Sequence, residues 1–281
     1  MDGREHGNVI QDNFYPVAMT IAGSDSGGGA GIQADLRTFA AFGVFGCSAV
    51  TALTAQNPLR VSGIMPVSPE NVKAQIEAVL SEFEVKAIKT GMLFSREIIE
   101  TVADCLAGFQ GALIVDPVMV STSGSRLLRD DAVETLMKRL LPLATIVTPN
   151  LFEAEILAGQ SIATEEDMKL AAESCRKKFG CGIIIKGGHA ADAEEASDYV
   201  LLEDGAFTLS TKRLPLPELT THGTGCTFSA AIAAGIADGL PLKEAVAEAK
   251  KFVQSSLEHH VRTGKKFHSM FPAGLVKKDK C

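Results

Sequence analysis

The regular alternation of strand-like and helix-like segments is the feature that most constrains the fold of this chain. Short runs of β-branched and other apolar residues are each followed by a longer stretch with apolar residues at helical spacing. Because parallel strands are joined by crossover helices, this order predicts an α/β fold with a central, mostly parallel sheet and helices on both faces. The predicted strands are residues 17–22, 48–55, 87–90, 112–116, 146–148, 183–186 and 199–202. The predicted helices are residues 31–42, 69–83, 95–108, 130–140, 151–158, 164–179, 227–239 and 242–262.

A single domain is predicted, because no repeat, low-complexity tract or linker divides the 281 residues. With 46% hydrophobic residues, a chain of this length can bury a substantial core. Residues 200–210, with Asp204-Gly205 in their middle, predict a hairpin. The domain is expected to cover residues 16–263. Residues 1–15 are expected to form a flexible N-terminal segment and residues 264–281 a C-terminal tail, since both ends show little periodicity.

Composition argues against several classes of protein. The formal net charge of -7 does not suit a nucleic-acid-binding protein, which needs a basic face. The longest apolar stretches are broken well short of a membrane span, and no signal-peptide pattern is present. The six cysteines show no spacing typical of a zinc site, so reduced thiols are expected. These observations predict a soluble, cytoplasmic protein with neither nucleic-acid nor membrane partners.

The start of an alanine-rich helix carries a pattern typical of a catalytic anion site. Gly223, Thr224, Gly225 and Cys226 stand just before the predicted helix. A helix N-terminus presents unpaired N–H groups and the positive end of the helix dipole, and glycine lets the backbone approach a phosphate closely. The same field favours a thiolate, so the pKa of Cys226 is expected to fall from about 8.5 to roughly 3.5–7.5. In the alternative interpretation, the glycines form a tight turn and Cys226 is a small apolar residue of a buried helix.

A glycine-rich loop follows the first predicted strand and admits two interpretations. Residues 23–35 could wrap a small ligand, because open α/β sheets bind ligands at the carboxyl ends of their strands. Within this loop, residues 29–34 also match the G-x-G-x-x-A fingerprint of dinucleotide-binding enzymes. The second strand ends in residues 54–57, which include no acid to bind a ribose hydroxyl. A Rossmann oxidoreductase is therefore the less favoured interpretation.

Further polar residues lie where predicted strands end. Gln56 offers an amide donor and acceptor that suit a flat heterocycle with an amino group, although a turn-stabilising role fits equally well. Asp116 could meet Mg²⁺ or an ammonium group, or could cap a turn. Asn150 and Glu153 form a helix-capping pattern that is compatible with metal or phosphate contacts. Lys186 could direct a cation at a polyphosphate, and the chain contains no P-loop pattern that would bind it otherwise.

Seven motifs, in register from about residue 17 to about residue 257, are similar to those of one enzyme family. They are residues 22–35, 51–57, 89–93, 116–119, 148–154, 186–189 and 221–226. In these motifs the chain resembles the hydroxymethylpyrimidine/phosphomethylpyrimidine kinases of the ribokinase-like superfamily. The resemblance implies a ribokinase-like α/β fold with a small β flap. It also implies that MgATP phosphorylates 4-amino-5-hydroxymethyl-2-methylpyrimidine to its monophosphate and then its diphosphate, in thiamine diphosphate biosynthesis.

The resemblance implies a role for each candidate residue. Cys226 would deprotonate the substrate hydroxyl as it attacks the γ-phosphate, beside an anion hole of Gly223, Thr224 and Gly225. Gln56 would pair with the aminopyrimidine edge, in a pocket formed with Asp35, Ala30, Thr54 and Met92. The ATP phosphates would contact Lys186 and Asn150. Asp116 and Glu153 would hold Mg²⁺ through water.

Two positions differ from the pattern of that family. Pro58 stands where many relatives have threonine, and Thr122, within residues 121–124, stands where a number of relatives have lysine. Loss of that cation would weaken the affinity for the monophosphate substrate.

Two alternative functions stay open beside the thiamine-pathway kinase. One is a pyridoxal or pyridoxine kinase, and the other is a non-catalytic pyrimidine sensor that kept the fold. Cys226 and Lys186 argue against the sensor, since a pure binder needs no base beside a phosphate site. Relatives of the family are often dimers, so a homodimer is expected.

Overall fold

A nine-stranded sheet forms the centre of the structure, a computed structural model that describes residues 14–120, 128, 130–187, 194–217, 220–265 and 267–270. Its strands, in chain order, are β1 (Val17–Asp25), β2 (Phe45–Asn57), β3 (Arg60–Pro66), β4 (Val85–Thr90), β5 (Ala112–Val115), β6 (Ile146–Val147), β7 (Gly182–Lys186), β8 (Glu195–Leu202) and β9 (Gly205–Lys212). Their order across the sheet is β3-β2-β1-β4-β5-β6-β7-β8-β9. Six neighbouring strands in the middle of the sheet pair in parallel: β2, β1, β4, β5, β6 and β7. β3 at one edge, and β8 and β9 at the other, pair antiparallel with their neighbours.

Helices connect most of these strands and follow the last one. In chain order they are α1 (Gly31–Ala41), α2 (Pro69–Leu80), α3 (Arg96–Leu106), α4 (Asp130–Thr135), α5 (Leu151–Ala158), α6 (Glu165–Phe179), α7 (Thr224–Ala237) and α8 (Leu242–Glu258). α4 continues as a π-helix (Leu136–Leu140) and a 3₁₀ turn (Leu141–Leu143). Several starts are set by local sequence, since the side chains of Ser68, Ser95 and Thr164 each accept a backbone N–H of the first turn.

The helices cover both faces of the sheet, which confirms the predicted fold class. Successive side chains of a strand point to opposite faces, and β4 shows the result. Ile88 packs in an apolar cluster with residues of α2, α3, α5 and α6. Ala87, its neighbour in the chain, packs in a second cluster with residues of α1, α7 and α8.

The structure differs from the predicted elements most clearly at the β flap and at the two C-terminal helices. β2 continues to Asn57 and turns back as β3, which was not predicted because its residues are mostly exposed and do not alternate. The Asn57 side chain accepts the N–H groups of Leu59 and Arg60, which fixes the turn, and the hairpin is the small β flap that the resemblance implies. α7 begins at Thr224 and not at residue 227. α8 ends at Glu258, and the residues that follow form a short antiparallel pair, β10 (Val261–Arg262) and β11 (His268–Ser269).

Other predictions concern segments at the ends and in loops. The predicted hairpin of residues 200–210 is confirmed as the pair β8 and β9. The predicted tail includes β11, while residues 1–13 and 271–281, Thr122, Gly188 and His189 lie outside the described residues. Within the described part of the chain, no helix has the length and apolar character needed to cross a bilayer.

The strand order decides where a ligand can bind. β1 lies between β2 and β4. The connection from β1 to β2 runs through α1 on one face of the sheet, and the connection from β3 to β4 runs through α2 on the other face. In open α/β sheets, such a switch point leaves a crevice at the carboxyl ends of the strands. The glycine-rich loop of residues 26–30 follows β1 at this point.

Candidate active site

One cavity of about 1040 Å³ opens at the carboxyl ends of the parallel strands. It extends from the β flap, past the N-terminus of α7, to β8, β9 and α8. Among the residues that line it are nearly all the predicted site residues: Ala30, Thr54, Gln56, Met92, Asp116, Asn150, Glu153, Lys186, Gly223, Thr224, Gly225 and Cys226. The fold therefore brings together residues that are far apart in the sequence.

Asp35 is the predicted pocket residue that the structure does not place on the cavity wall. It is fully buried in α1, where its carboxylate accepts hydrogen bonds from Lys89 at 3.0 and 2.9 Å and from Thr20 at 2.6 Å. Lys89 does line the cavity. Asp35 therefore faces the cavity only through this lysine.

Cys226 lies in the first turn of α7, on the cavity wall. The expectation that its pKa is lowered is wrong. Burial raises the pKa of the thiol to about 11, and the carboxylates of Asp35 and Asp116 act in the same direction. The ammonium group of Lys89 and a backbone hydrogen bond from Gly31 favour the thiolate but do not outweigh the loss of water around it. In the free protein, Cys226 is therefore a thiol at neutral pH.

The predicted anion hole is formed by the backbone at the start of α7. Gly223 is the N-cap residue and has φ +87°, a left-handed conformation that favours glycine. The N–H of Thr224 donates to the carbonyl of Thr221 at 3.2 Å, so it is already engaged. Gly225 and Cys226 follow in the first helical turn, where N–H groups have no carbonyl of their own helix to bind. These two N–H groups are the better candidates for binding an anion.

The glycine-rich loop after β1 is organised by Asp25, which the sequence analysis did not single out. Its carboxylate accepts the N–H groups of Gly27, Gly29 and Ala30 at 2.8, 3.1 and 2.9 Å. Burial raises the pKa of Asp25, but hydrogen bonds from His222 and from the loop outweigh it and lower the pKa overall. Because these N–H groups point at Asp25, they are not free to bind a pyrophosphate, as a dinucleotide fingerprint would require.

His222 joins the loop after β1 to the start of α7. Its Nε2 lies 2.9 Å from a carboxylate oxygen of Asp25, and both side chains are buried. A Cβ added to Gly29 would lie 2.5 Å from the His222 ring, so the loop packs directly on this histidine. Both residues occur inside predicted motifs, and their separation of 197 positions concealed the contact.

Lys186 and Asp116 form an ion pair beside the N-terminus of α7. Their charged atoms lie 2.8 Å apart, and the hydroxyl of Thr148 donates to the same aspartate at 3.3 Å. Burial disfavours the ammonium group, but Asp116 and Glu153 outweigh that effect and raise the pKa of Lys186. A Cβ on Gly225 would lie 3.2 Å from the lysine Nζ. The absence of a side chain at Gly225 thus lets a cation approach the anion hole.

Asn150 and Glu153 form the predicted capping box at the start of α5. The Asn150 side chain accepts the N–H of Glu153, and the Glu153 carboxylate accepts the N–H of Asn150, both at 2.9 Å. The second oxygen of Glu153 accepts the N–H of Met119 at 3.3 Å. Burial, the largest effect, raises the pKa of Glu153 to about 7, although Lys186 acts in the opposite direction.

Asp116 and Glu153 present hard oxygen donors on the same cavity wall, which suits Mg²⁺. No group of three or more metal-binding side chains is found among the described residues. Both carboxylates already have partners, Lys186 for Asp116 and two backbone N–H groups for Glu153. Mg²⁺ usually keeps several waters and binds through one or two carboxylates plus phosphates, so these residues fit a water-mediated site.

Glu153→Gln is expected to flatten the pH dependence of stability. Folding raises the pKa of Glu153 from 4.5 to about 7, so the folded state binds this proton more tightly than the unfolded state. The contribution to stability is therefore complete below pH 4.5 and is lost as the pH rises through 7. The loss amounts to roughly 3 kcal/mol, at about 1.36 kcal/mol per pKa unit.

Thermal unfolding between pH 5 and pH 8 measures this effect. Wild type should lose stability across the interval more steeply than Glu153→Gln. Glu155→Gln, in the same helix, is the control, because its carboxylate accepts the N–H of Ile162 away from the cavity. Equal pH profiles for wild type and Glu153→Gln would contradict the raised pKa.

The flap end of the cavity is shaped by Thr54, Gln56 and Ser26. The Ser26 hydroxyl bridges the N–H and carbonyl of Gln56, at 2.8 and 2.9 Å, and so ties β2 to the glycine-rich loop. The Thr54 hydroxyl lies 3.1 Å from Oε1 of Gln56. This orients the side-chain amide. Met92 packs behind, in a small apolar cluster with Ala52.

Lys250 and Asp198 form a further ion pair at the far end of the cavity, at 2.8 Å. Asp198 also accepts the N–H of Gly187 at 3.1 Å. Sequence analysis missed this pair, as it missed the role of Lys89. Nothing in the spacing of these residues signals their contact, which depends on the packing of α8 against β9 and on the pairing of β7 with β8.

The sequence and the fold are similar to those of known proteins. The sequence model of the phosphomethylpyrimidine kinase family matches residues 25–271. The hydroxymethylpyrimidine/phosphomethylpyrimidine kinase of Haemophilus influenzae is 49% identical over 250 residues, which cover 88% of this chain and 92% of that protein. The protein of the same name from Rhizobium meliloti is 51% identical over 245 residues, 86% of this chain and 90% of the relative.

A solved structure shows the same fold. The ADP complex of Bacillus subtilis pyridoxal kinase has a TM-score of 0.84 and 34% sequence identity, covering 93% of this chain and 99% of that one. Since the family model spans most of the sequence and both relatives align over nearly their full length, this chain belongs to the phosphomethylpyrimidine kinase family.

Proposed function

We propose that this protein transfers the γ-phosphoryl group of MgATP to 4-amino-5-hydroxymethyl-2-methylpyrimidine, and then to the resulting monophosphate, in thiamine diphosphate biosynthesis. One observation carries the proposal. A single cavity holds an amide donor and acceptor at one end, Gln56, and a thiol on a helix N-terminus beside a lysine, Cys226 and Lys186, near its middle. Membership of the phosphomethylpyrimidine kinase family supports the same reaction.

The pyrimidine is proposed to bind under the β flap. Gln56 donates to a ring nitrogen and accepts from the neighbouring amino group, a pairing that its two amide atoms can make at once. Ala30, Thr54 and Met92 form the walls around the ring. Asp35 does not line the pocket and acts through Lys89, which donates hydrogen bonds to its carboxylate. The hydroxymethyl group then points toward Cys226.

The transfer step is proposed to occur at the start of α7. In the fraction of molecules whose Cys226 has released its proton to water, the thiolate accepts the proton of the substrate hydroxyl as the hydroxyl oxygen attacks the γ-phosphorus, and ADP leaves. The N–H groups of Gly225 and Cys226 and the Lys186 cation stabilise the negative charge on the transferring group, in a place where little water competes. Positioning and charge neutralisation provide most of the rate enhancement in such reactions.

The nucleotide phosphates are proposed to contact Lys186 and Asn150, while Asp116 and Glu153 hold Mg²⁺ through water. When bound, Mg²⁺ neutralises charge on the ATP phosphates. Asp116 pairs with Lys186 and so orients the lysine. The Bacillus subtilis pyridoxal kinase, solved with ADP, supports a nucleotide site in this fold.

ADP release from MgATP tests the proposed function. The purified protein is offered the hydroxymethylpyrimidine, its monophosphate and pyridoxal in separate assays, with Cys226→Ala as the matched control. Release with both pyrimidines supports the proposal. A strong preference for pyridoxal would favour a vitamin B6 kinase, to which the structural similarity to the Bacillus subtilis enzyme gives weight. No release with any of the three, despite binding, would indicate a sensor.

Gln56→Glu is expected to weaken binding of the pyrimidine at least tenfold without changing the KM for ATP. The carboxylate loses the donor that faces the ring nitrogen and leaves that nitrogen opposite an acceptor, and an unpaired buried polar group costs about 1–3 kcal/mol. Initial rates at varied pyrimidine and varied ATP separate the two effects. Gln110→Glu, an exposed substitution with the same change in charge, is the control. An unchanged KM for the pyrimidine in Gln56→Glu would refute the assigned contact.

The homodimer and the cytoplasmic location stay predictions. Light scattering coupled to size-exclusion chromatography measures the first, and fractionation of cells measures the second.

A further inference from the structure

A buried ion pair lies between the sheet and the helices that carry the active-site loops. Lys89 of β4 and Asp35 of α1 are 2.9 Å apart, and neither side chain is exposed. Thr20 of β1 is the direct register partner of Lys89 and donates to the same aspartate at 2.6 Å. Ala18 and Ala87, two residues earlier on the same strands, pack against the α1 and α7 side of the sheet. By strand alternation, Thr20 and Lys89 share that face.

A buried ion pair adds little to the free energy of unfolding. Transferring two charges from water to a protein interior costs several kcal/mol per ion, and apolar residues of similar volume often serve the fold equally well. The site is also built around the lysine. A Cβ on Gly91 would lie 2.9 Å from the Lys89 Nζ, so the glycine leaves room for the ammonium group. The positive charge therefore lies at the cavity wall, since Lys89 lines the cavity.

Lys89 and Cys226 line the same cavity. α7 packs against β4, and Cys226 is in the first turn of α7. The two groups interact electrostatically, each favouring the charged form of the other. The Lys186 ammonium group also interacts with the thiol, and the carboxylates of Asp35 and Asp116 oppose the thiolate. Asp116 is itself paired with Lys186, and Asp35 with Lys89.

We propose that Lys89 is a positioning residue of the kinase reaction: its ammonium group, fixed by Asp35 and Thr20, stabilises the Cys226 thiolate that accepts the substrate proton. This proposal rests on the proposed function for the identity of the proton donor. The presence of the cation lets this half-buried thiol lose its proton, and Asp35 holds the cation in place while partly offsetting its charge. Lys89 thereby supplies the positive field that the helix N-terminus alone does not provide.

The reactivity of Cys226 toward iodoacetamide tests the proposal without any turnover. The second-order alkylation rate of the peptide containing Cys226 is measured by mass spectrometry at pH 8, with the Cys105 peptide as internal reference. Three forms are compared: wild type, Asp35→Asn, and the double variant Lys89→Met/Asp35→Asn. A matched pair, Lys250→Met/Asp198→Asn, removes another ion pair of the same cavity, which joins β8 to α8.

The two variants at the Lys89 site are expected to move the rate in opposite directions. Asp35→Asn removes a negative charge and speeds alkylation. The double variant removes the cation as well and slows alkylation roughly three- to tenfold below wild type, since a nearby opposite charge shifts a pKa by about 1–3 units and higher thiolate basicity recovers part of the rate. The matched pair leaves the rate unchanged. If Lys89 and Asp35 had only a structural role, both variants at the Lys89 site would change the alkylation rate in the same direction.

Three results would overturn the proposal: equal rates in wild type and the double variant, slower alkylation in both variants, or a double-variant effect that the matched pair reproduces. If the double variant does not fold, as judged by circular dichroism, Asp35→Asn decides alone, and a rate no faster than wild type overturns the proposal. ADP release by wild type tests the kinase function separately. If wild type releases no ADP but shows the expected alkylation rates, the kinase function is refuted and the proposed effect of Lys89 on Cys226 is supported.

Discussion

Cys226→Ala is expected to lower kcat by about 10²- to 10⁴-fold, the range typical of losing a general base. The KM values for ATP and the pyrimidine should change little, because the phosphate site and the Gln56 contact remain. Initial-rate kinetics with the hydroxymethylpyrimidine measure both quantities. Cys105→Ala is the matched control, since this half-buried cysteine of α3 does not line the cavity.

The pH profile adds a second readout for the same residue. The pKa of Cys226 is raised to about 11 in the free protein, so the thiolate fraction increases with pH throughout the neutral and mildly alkaline range. Wild-type kcat/KM should therefore rise with pH between 7 and 9, and the remaining activity of Cys226→Ala should not. A variant that retains wild-type turnover, or that keeps the wild-type pH profile at reduced rate, would show that another group accepts the proton.

Gly223→Ala is expected to reduce kcat/KM at least a thousandfold and to destabilise the protein. The residue has φ +87°, which costs a side chain about 1 kcal/mol, and a methyl group here would also overlap the carbonyl oxygen of Gly29. The overlap is between the added Cβ and a backbone carbonyl, so a change of side-chain rotamer cannot relieve it. The loop after β1 and the start of α7 must move apart, which displaces the anion hole from the substrate loop. Loss of one oxyanion-hole donor alone typically costs about 10²–10³ in kcat.

Gly239→Ala separates the effect of the steric overlap from the free-energy cost of alanine in a left-handed conformation. Gly239 follows the other end of α7 with φ +96°, and nothing lies within 4 Å of the Cβ that alanine would add. This control should lose only the stability that the left-handed conformation costs and should retain its activity. Thermal unfolding and kinetics are measured on both variants. Similar activities for Gly223→Ala and Gly239→Ala would contradict the close packing of the two loops.

The motifs predicted most of the candidate site because phosphate chemistry is local in sequence. A helix N-terminus with glycines, a strand that ends in lysine and a capping pair at the start of α5 are each readable within a few residues, and the fold brings them to one cavity. Placement of α7 was less accurate. The predicted helix begins at residue 227, whereas α7 starts at Thr224 with Gly223 as its N-cap.

The partners of the charged residues could not be predicted from the motifs. Asp25 contacts His222, Lys89 contacts Asp35 and Lys186 contacts Asp116, over 197, 54 and 70 positions of sequence. The β flap strand β3 was missed for a related reason, since its exposed residues lack the alternation that burial imposes. Each of these features depends on which strands become neighbours.

The pKa of Cys226 illustrates what the sequence determined and what the tertiary structure decided. By itself, the sequence determined the α/β class, most elements, the family and the placement of a thiol at a helix N-terminus, because periodicity, capping and glycine act over a few residues. Only the tertiary structure decided that this thiol is enclosed among Lys89, Asp35 and Asp116, so that its pKa rises and does not fall. Helix dipoles follow from local sequence, but desolvation and the balance of neighbouring charges are set by distant segments that fold together.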